Sequence, residues 1–327
     1  MSDPGFQTRN ALFRQYGKFS LAYSAAFQPE LRYFGDADGV IAYKRVGNSA
    51  LALANPLAPT KIWPSLIDRF VAEKKRVSFW QITRPMAVLL AARGFRVNPM
   101  GVESRINLPD YSLKGPKKRV FRTAANRMAA KGFVTTEMLA DEFDREDLTR
   151  ISEEWRGQRA VKSREMMFLI RPVNLAKEEG VRKFVTADRH GRPVAFASYD
   201  PVCEGGDTIG YLLATKRWLP ETDPLVGYDL ARVGIETFQA EALRWLMLGN
   251  SPLAQVKDRD FTYARSVKQS FHFARNNQLF NRYVYAVRGI SRHKASYLGE
   301  SAPAYAAFNG RPGLIDVFRM IRACRII

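Results

Sequence analysis

Residues 114–133, KGPKKRVFRTAANRMAAKGF, hold Lys114, Lys117, Lys118, Arg119, Arg122, Arg127 and Lys131 and no acid. Pro116 suits the first turn of a helix. Val120, Ala124 and Met128 recur every four residues as an apolar stripe, while Lys118, Arg122 and the amide Asn126 share another face. An arginine fork on such a face matches phosphate oxygens. This segment is therefore the leading candidate for an anion cradle, against the plainer reading of a solvated basic face. Asp229 opens a helical stretch just after Gly227, where a carboxylate can act in chemistry or simply as a favourable charge at a helix start. Asn250-Ser251-Pro252 follows a short apolar run, and a loop at the carboxyl end of a sheet strand is a usual place for ligands. Glu103 and Arg105 lie two apart in a strand-like run, on one face, and are expected to form a structural pair between the two halves of the chain.

Other chemistries find less support. The three histidines, His190, His272 and His293, have no adjacent nucleophile or ligand partner, and the two cysteines, Cys203 and Cys324, are far apart. Zinc spacing and a disulfide framework are absent, so no metal is expected and a reducing compartment is the default. No phosphate-binding loop ending in Gly-Lys-Ser/Thr occurs, and Gly205, Gly206 and Gly210 lie in a hairpin-like segment rather than in a dinucleotide fingerprint. No cofactor is expected.

The chain has 327 residues, enough for two domains. Lys and Arg number 51 against 32 Asp and Glu, a formal charge of +19. Such a surface favours anionic partners: nucleic acid, an acidic membrane surface or an acidic carrier protein. The start of the chain has no apolar signal core, and no apolar run reaches the ~18 residues of a spanning helix. The expectation is a cytoplasmic protein, peripheral at a membrane face at most. The last residues, RPGLIDVFRMIRACRII, place Leu314, Val317, Phe318 and Ile321 on one helical face with Arg311, Arg319, Arg322 and Arg325 around it. A basic amphipathic helix of this kind either lies on an anionic membrane or docks on its own domain.

The elements that must position these residues alternate. Strands are expected at 40–46 and 49–54 around a Gly47-Asn48 turn, then a helix at 64–75, a strand at 76–82, a helix at 84–93 stopped by Gly94, and a strand at 102–108. The second half repeats the order: helix 117–131, strand 134–138, helix 147–159, strands 183–187, 193–199 and 208–214, helix 226–240, strand 244–248, helix 261–274 and strand 282–288. The stretch 110–116 separates the halves, giving expected domains at 1–112 and 113–327. This order matches a mixed-sheet α/β architecture of two tandem acetyltransferase-like units. The usual Gly-rich pyrophosphate loop of that fold, however, reads TKRWLPETDPLVG here, with one glycine.

From about Tyr33 onward the chain resembles the catalytic domain of the phosphatidylglycerol lysyltransferases. The likeness rests on ALANPLAP, FWQITRPMAVLLAARGF and GVESRINL in the first half. In the second it rests on SLKGPKKRVFRTAANRMAAKGF, ISEEWRGQR, RPVAFASY, VGYDLARV and LGNSPL, with Gly289, Lys294 and Tyr305 on similar positions. The resemblance implies transfer of an aminoacyl group from charged tRNA to a lipid headgroup hydroxyl. Arg119, Arg122, Asn126, Arg127 and Lys294 would then hold phosphate groups, Asp229, Asn250 and Ser251 would lie near the transferred group, and Glu103 would support the floor between the halves. The sequence departs from the family at Leu212 and Thr215, where an Asp and an Arg are common, at Ala254 in place of Ser and at Asn55 in place of Asp. The alternative is an N- or O-acyltransferase with an acyl-thioester donor, on acyl carrier protein or coenzyme A. A third is a non-enzymatic protein that binds membrane or RNA.

Overall fold

The computed structural model describes residues 4–138, 145–159, 165–254, 260–310 and 312–326. Helices α1 (Phe6–Tyr16) and α2 (Ala22–Phe27) precede strand β1 (Arg32–Asp36). Gly47 adopts φ +60°, a conformation that favours glycine, and turns β2 (Gly39–Val46) back into β3 (Ser49–Leu53), as Gly47-Asn48 predicts. Helix α3 (Trp63–Lys74) crosses over to β4 (Val77–Ile82), which pairs with β3 in parallel. Every residue of β3 and β4 is buried, the pattern of strands covered on both faces. Helix α4 (Arg84–Ala91) ends before Gly94, at φ +79°, and leads into the long strand β5 (Arg96–Asn107).

The second half starts with a 3-10 turn at Pro116–Lys118 and α5 (Arg119–Ala130), stopped by Gly132 at φ +70°. Then come β6 (Val134–Glu137), α6 (Arg145–Gly157), β7 (Arg182–Ala187), β8 (Pro193–Glu204) and β9 (Asp207–Trp218). Helix α7 (Val226–Ala240) crosses over to β10 (Trp245–Pro252), parallel to β9. The chain closes with α8 (Arg265–Asn276), a π-helical turn at Phe280–Val284, α9 (Val287–Ala295), β11 (Glu300–Phe308) and α10 (Leu314–Ala323).

All eleven strands form one mixed sheet in the order β1-β2-β3-β4-β11-β5-β10-β9-β8-β7-β6. The first half contributes three antiparallel strands, β1 to β3, and β4 parallel to β3; the second contributes four, β6 to β9, and β10 parallel to β9. The halves then trade strands: β11 lies between β4 and β5, and β5 lies between β11 and β10, all antiparallel. The mixed α/β architecture is the expected one, but β11 and β5 interlock the two halves at the centre. Each half keeps its own apolar core. Phe34, Ile67, Phe70, Phe79 and Leu90 fill the first, and Phe184, Tyr199, Leu230 and Phe238 the second. There Phe238 stacks on Tyr211 at 4.6 Å and meets Tyr199 edge-on at 5.1 Å, pairs worth about 0.5–1.5 kcal/mol each beyond their area burial.

Three expectations are corrected. Residues 282–288 are not a strand; they run through the π-helical turn into α9. Asn281 holds them there, its amide donating to the carbonyls of Ala274, Arg275 and Asn277 while its Oδ1 accepts from the Arg288 amide. The last strand of the sheet is β11 instead. Helix α8 begins at Arg265 rather than 261, because Asn98 exchanges two 3.0 Å bonds with the backbone of Ala264 and keeps it extended. Asn250-Ser251-Pro252 is the end of β10 rather than a loop.

Candidate active site

Strands β9 and β10 pair in parallel only from Gly210–Leu212 to Trp245–Met247. Gly210 permits that close approach, since a Cβ there would meet the Trp245 carbonyl oxygen at 2.0 Å. Beyond it β10 bulges at Met247–Gly249, where Gly249 takes φ +71°. Helix α9 packs against β10 at this point. Lys294 Nζ donates to the Asn250 carbonyl at 2.7 Å. Burial pushes the Lys294 amine down to about 8, with the charge of Glu103 opposing the shift.

Glu103 stands on β5, directly across from Asn250 on one side and Ala302 on the other. Gln81 Nε2 and Ser20 Oγ each donate to its carboxylate at 2.8 Å. Burial raises the Glu103 pKa, and those two hydrogen bonds and Lys294 lower it in part. Gln81 has φ +58°, an uncommon backbone conformation of the kind that clusters at functional sites. Asn250 Oδ1 is buried with no hydrogen-bond partner among the described residues, and it lies against Gly101, where a Cβ would come within 2.4 Å. An unpaired buried acceptor costs about 1–3 kcal/mol and is a place where a ligand donor can be satisfied.

Ser20, Gln81, Asn250 and Lys294 form the polar end of a cavity of about 690 Å³. Its walls are apolar, with Leu21, Leu212, Leu248, Phe271, Val317 and Ile321 among them. A second polar patch on the wall is the buried pair Arg171–Asp200, with Arg171 Nε donating to Asp200 at 2.9 Å and Nη1 to Glu178 at 2.8 Å. The cavity escaped the sequence analysis because its walls come from segments scattered along the whole chain, none of them distinctive alone. Leu212 is one of those walls.

The structure brings Glu103, Asn250 and Lys294 together. Ser251 is buried but, one residue along the strand, faces away from Asn250. Asp229 is elsewhere. It is buried on α7, where it accepts from Arg232 Nε at 2.8 Å and from Thr135 Oγ1 at 3.1 Å. Thr135 is on β6, four strands from β10, so Asp229 is a structural ion-pair acceptor rather than a neighbour of the site. Glu103 and Arg105 do not pair: Arg105 Nε donates to Glu300 at 2.9 Å and its guanidinium covers the Trp245 ring at 4.0 Å.

The basic segment also divides. Lys118 turns inward to the Tyr297 carbonyl and the Tyr111 ring, and burial pushes it down to about 8. Arg122 is exposed, but its Nη1 is engaged by the carbonyls of Leu113 and Gly115. The acid missing from the local sequence comes from the loop before α7: Asp223 pairs with Arg127 at 2.9 Å and Lys131 at 3.0 Å. Arg119 and Asn126 are exposed on α5. On α10, Arg319 pairs with Asp316, and just beyond it Arg325 pairs with Glu30, while Arg311 lies outside the described residues.

A half-buried lysine missed from sequence adjoins the site. Lys216 on β9 donates to the Gly227 carbonyl at 2.9 Å and lies 3.0 Å from His293 Nε2 and 2.9 Å from the Tyr297 hydroxyl. His293 Nδ1 is 3.1 Å from the Tyr228 hydroxyl. Burial and the charge of Lys294 push Lys216 down to about 7; burial, Lys216 and Lys294 push His293 down to about 3. His293 is thus a neutral bracing side chain beside Lys294. Among the described residues no cluster of three or more His, Cys, Asp and Glu could hold a metal ion, and no helix is long and apolar enough to cross a membrane.

Comparison with known proteins places this geometry. The family described as "Phosphatidylglycerol lysyltransferase, C-terminal" matches residues 10–308. A phosphatidylglycerol lysyltransferase of Staphylococcus epidermidis is 23% identical over 326 residues, covering 97% of this chain and 37% of the relative. The chain therefore spans little more than a third of that protein's length. In structure, L-PGS from Bacillus licheniformis superposes with a TM-score of 0.80 at 19% identity, covering 99% of this chain and 98% of the other. The C-terminal domain of a putative lysylphosphatidylglycerol synthetase from Agrobacterium fabrum gives 0.77 at 18% identity, covering 97% and 95%. The chain belongs to the phosphatidylglycerol lysyltransferase C-terminal family.

Proposed function

We propose that this chain transfers an aminoacyl group from charged tRNA to a hydroxyl of a lipid headgroup such as phosphatidylglycerol. The observation that carries the reading is the meeting of an apolar cavity of about 690 Å³ with a short polar end built from Ser20, Gln81, Asn250 and Lys294 around Glu103. An acyl chain fits the walls, and a phosphate and hydroxyls fit the end. The acceptor hydroxyl oxygen bonds to the ester carbonyl carbon, the bond from that carbon to the tRNA ribose oxygen breaks, and the proton passes from acceptor to ribose oxygen. Glu103 takes and returns that proton. The Lys294 ammonium faces the headgroup phosphate and the developing oxyanion, where a fixed charge in a water-poor site is most effective. Asn250 Oδ1 accepts from a substrate hydroxyl or ammonium.

In this reading Lys117, just before α5, and Arg119 and Asn126 on its exposed face contact tRNA phosphates, and the chain works at the inner face of the membrane, its two units 1–112 and 113–327 sharing the sheet. A thioester donor is less well supported. The amides of Val226, Gly227 and Tyr228 at the start of α7 bond to the carbonyls of Asp223, Pro224 and Leu225 rather than opening onto a pyrophosphate.

The test is to incubate purified protein with phosphatidylglycerol and tRNA charged with labelled amino acids, with and without ribonuclease. Ribonuclease-sensitive label in the organic phase is the expected result. Label that appears only with an acyl-thioester donor, or none with an active control enzyme, would overturn the reading.

A further inference from the structure

Helix α10 is apolar on two sides. Val317, Ile321 and Cys324 face the cavity and the body of the protein. Leu314, Ile315 and Phe318 point outward, and with Phe273 on α8 and Leu279 and Tyr283 around the π-helical turn they are each between 51% and 67% exposed. Isolated exposed apolar residues are ordinary; six on three adjoining elements are a patch that calls for a partner. Helices α8 and α10 are in contact, as are α8 and the π-helical turn. Phe273 and Leu314 also line the cavity and are each more than half exposed, so the patch borders its mouth.

The charge of the stretch from α8 through α9 has one sign. Residues 265–299 contain seven Lys and Arg and no Asp or Glu. Among them Arg265, Lys268 and Arg282 are exposed, as is Arg322 on α10. Arg282 lies over the Tyr283 ring at 5.2 Å, a cation and an aromatic ring side by side at the surface. Beside the mouth, Arg265, Lys268, His272 and Asn276 line a shallower hollow that shares Phe273 with the patch. An RNA surface would use the cations but would leave leucine, isoleucine and phenylalanine side chains in water. An anionic bilayer uses both: the apolar side chains enter the acyl boundary and the arginines meet the phosphates.

We propose that α8, the π-helical turn and α10 form a docking face for an anionic phospholipid bilayer, seating the cavity mouth on the membrane so that a lipid enters without crossing water. The face rests on the lipid-acceptor reading above but is tested apart from it. Sedimentation with vesicles of phosphatidylcholine, with and without phosphatidylglycerol, is measured for the wild type, for Ile315→Glu with Phe318→Glu, and for Arg282→Glu with Arg322→Glu. None of these four side chains lines the cavity. The wild type is expected to bind only the anionic vesicles, and each pair of substitutions to weaken binding about tenfold or more with Tm unchanged. Each pair should also keep transfer to short-chain phosphatidylglycerol dispersed in detergent. Wild-type protein that ignores anionic vesicles, folded variants that bind as the wild type does, or displacement from vesicles by uncharged tRNA would overturn the docking face. Absence of transfer in detergent by the wild type would instead overturn the reading of function and leave the vesicle result standing.

Discussion

Lys294 Nζ and the main-chain carbonyl of Asn250 lie 2.7 Å apart, tying helix α9 to the end of strand β10 across 44 residues of sequence. The contact sets a half-buried amine at the polar end of an apolar cavity, near a carboxylate on β5 whose own pKa is raised. The pair has the makings of an acid and a base separated by environment.

Lys294→Met is expected to lower turnover by about 10²–10³-fold, the range for loss of a group that stabilises a developing oxyanion. Far-UV circular dichroism and Tm should stay near wild type, because methionine fills the same volume without a desolvated charge. For the wild type, turnover needs Lys294 charged and Glu103 ionised. Activity should fall as pH rises through about 8 and fall again on the acid side, with that limb above the usual carboxylate range. A pH–rate profile of Lys294→Met without the alkaline limb would confirm the assignment; an unchanged limb would remove it.

Leu212→Trp places an indole into the cavity wall. Transfer to long-chain phosphatidylglycerol should drop about tenfold or more, while transfer to a short-chain acceptor is largely spared, at a stability cost of about 1–3 kcal/mol from overpacking. Equal loss on both acceptors, read from initial rates, would mean that the cavity does not hold the acyl chains.

Lys117→Glu with Arg119→Glu reverses two exposed charges on and just before α5. The expected effect is a higher KM for charged tRNA and a shallower salt dependence of binding, by about one unit of slope for each phosphate no longer neutralised. An unchanged salt slope would move RNA binding to another face. Arg127 is a poorer probe, because its charge is already engaged by Asp223.

Lys216 predicts how stability varies with pH. Its pKa in the folded protein is about 7, far below the ordinary value of 10.5. Between those values the unfolded chain binds a proton that the folded protein does not, so this lysine makes stability rise with pH from about 7 towards 10. Lys216→Met should flatten that rise and raise stability at neutral pH. Urea denaturation at several pH values measures both effects, and a parallel slope in the variant would contradict the assignment.

The local elements were legible because their signals are local. Gly47-Asn48 makes a hairpin turn, glycines 94 and 132 stop helices through positive φ, and α7 matches its expected span of 226–240, since an apolar face every three to four residues can bury itself on any sheet. Lys294, Asn250 and Glu103 could be nominated from the resemblance. Their contact could not, and neither could the removal of Asp229 to the far edge of the sheet. Residues 282–288 show the limit from the other side: alternating aromatic residues suggested a strand, but Asn281 offered the backbone helical bonds and β11 already held the place in the sheet. The amino-acid sequence by itself determined the mixed α/β class, the family and the basic surface, because composition, periodicity and turn chemistry act between near neighbours. Only the tertiary structure decided the exchange of β5 and β11, the cavity and the Lys294–Asn250 contact. Strand pairing brings together residues far apart in the chain, such as Ser78 with Phe308 and Arg105 with Glu300, and that choice depends on the complementarity of whole surfaces.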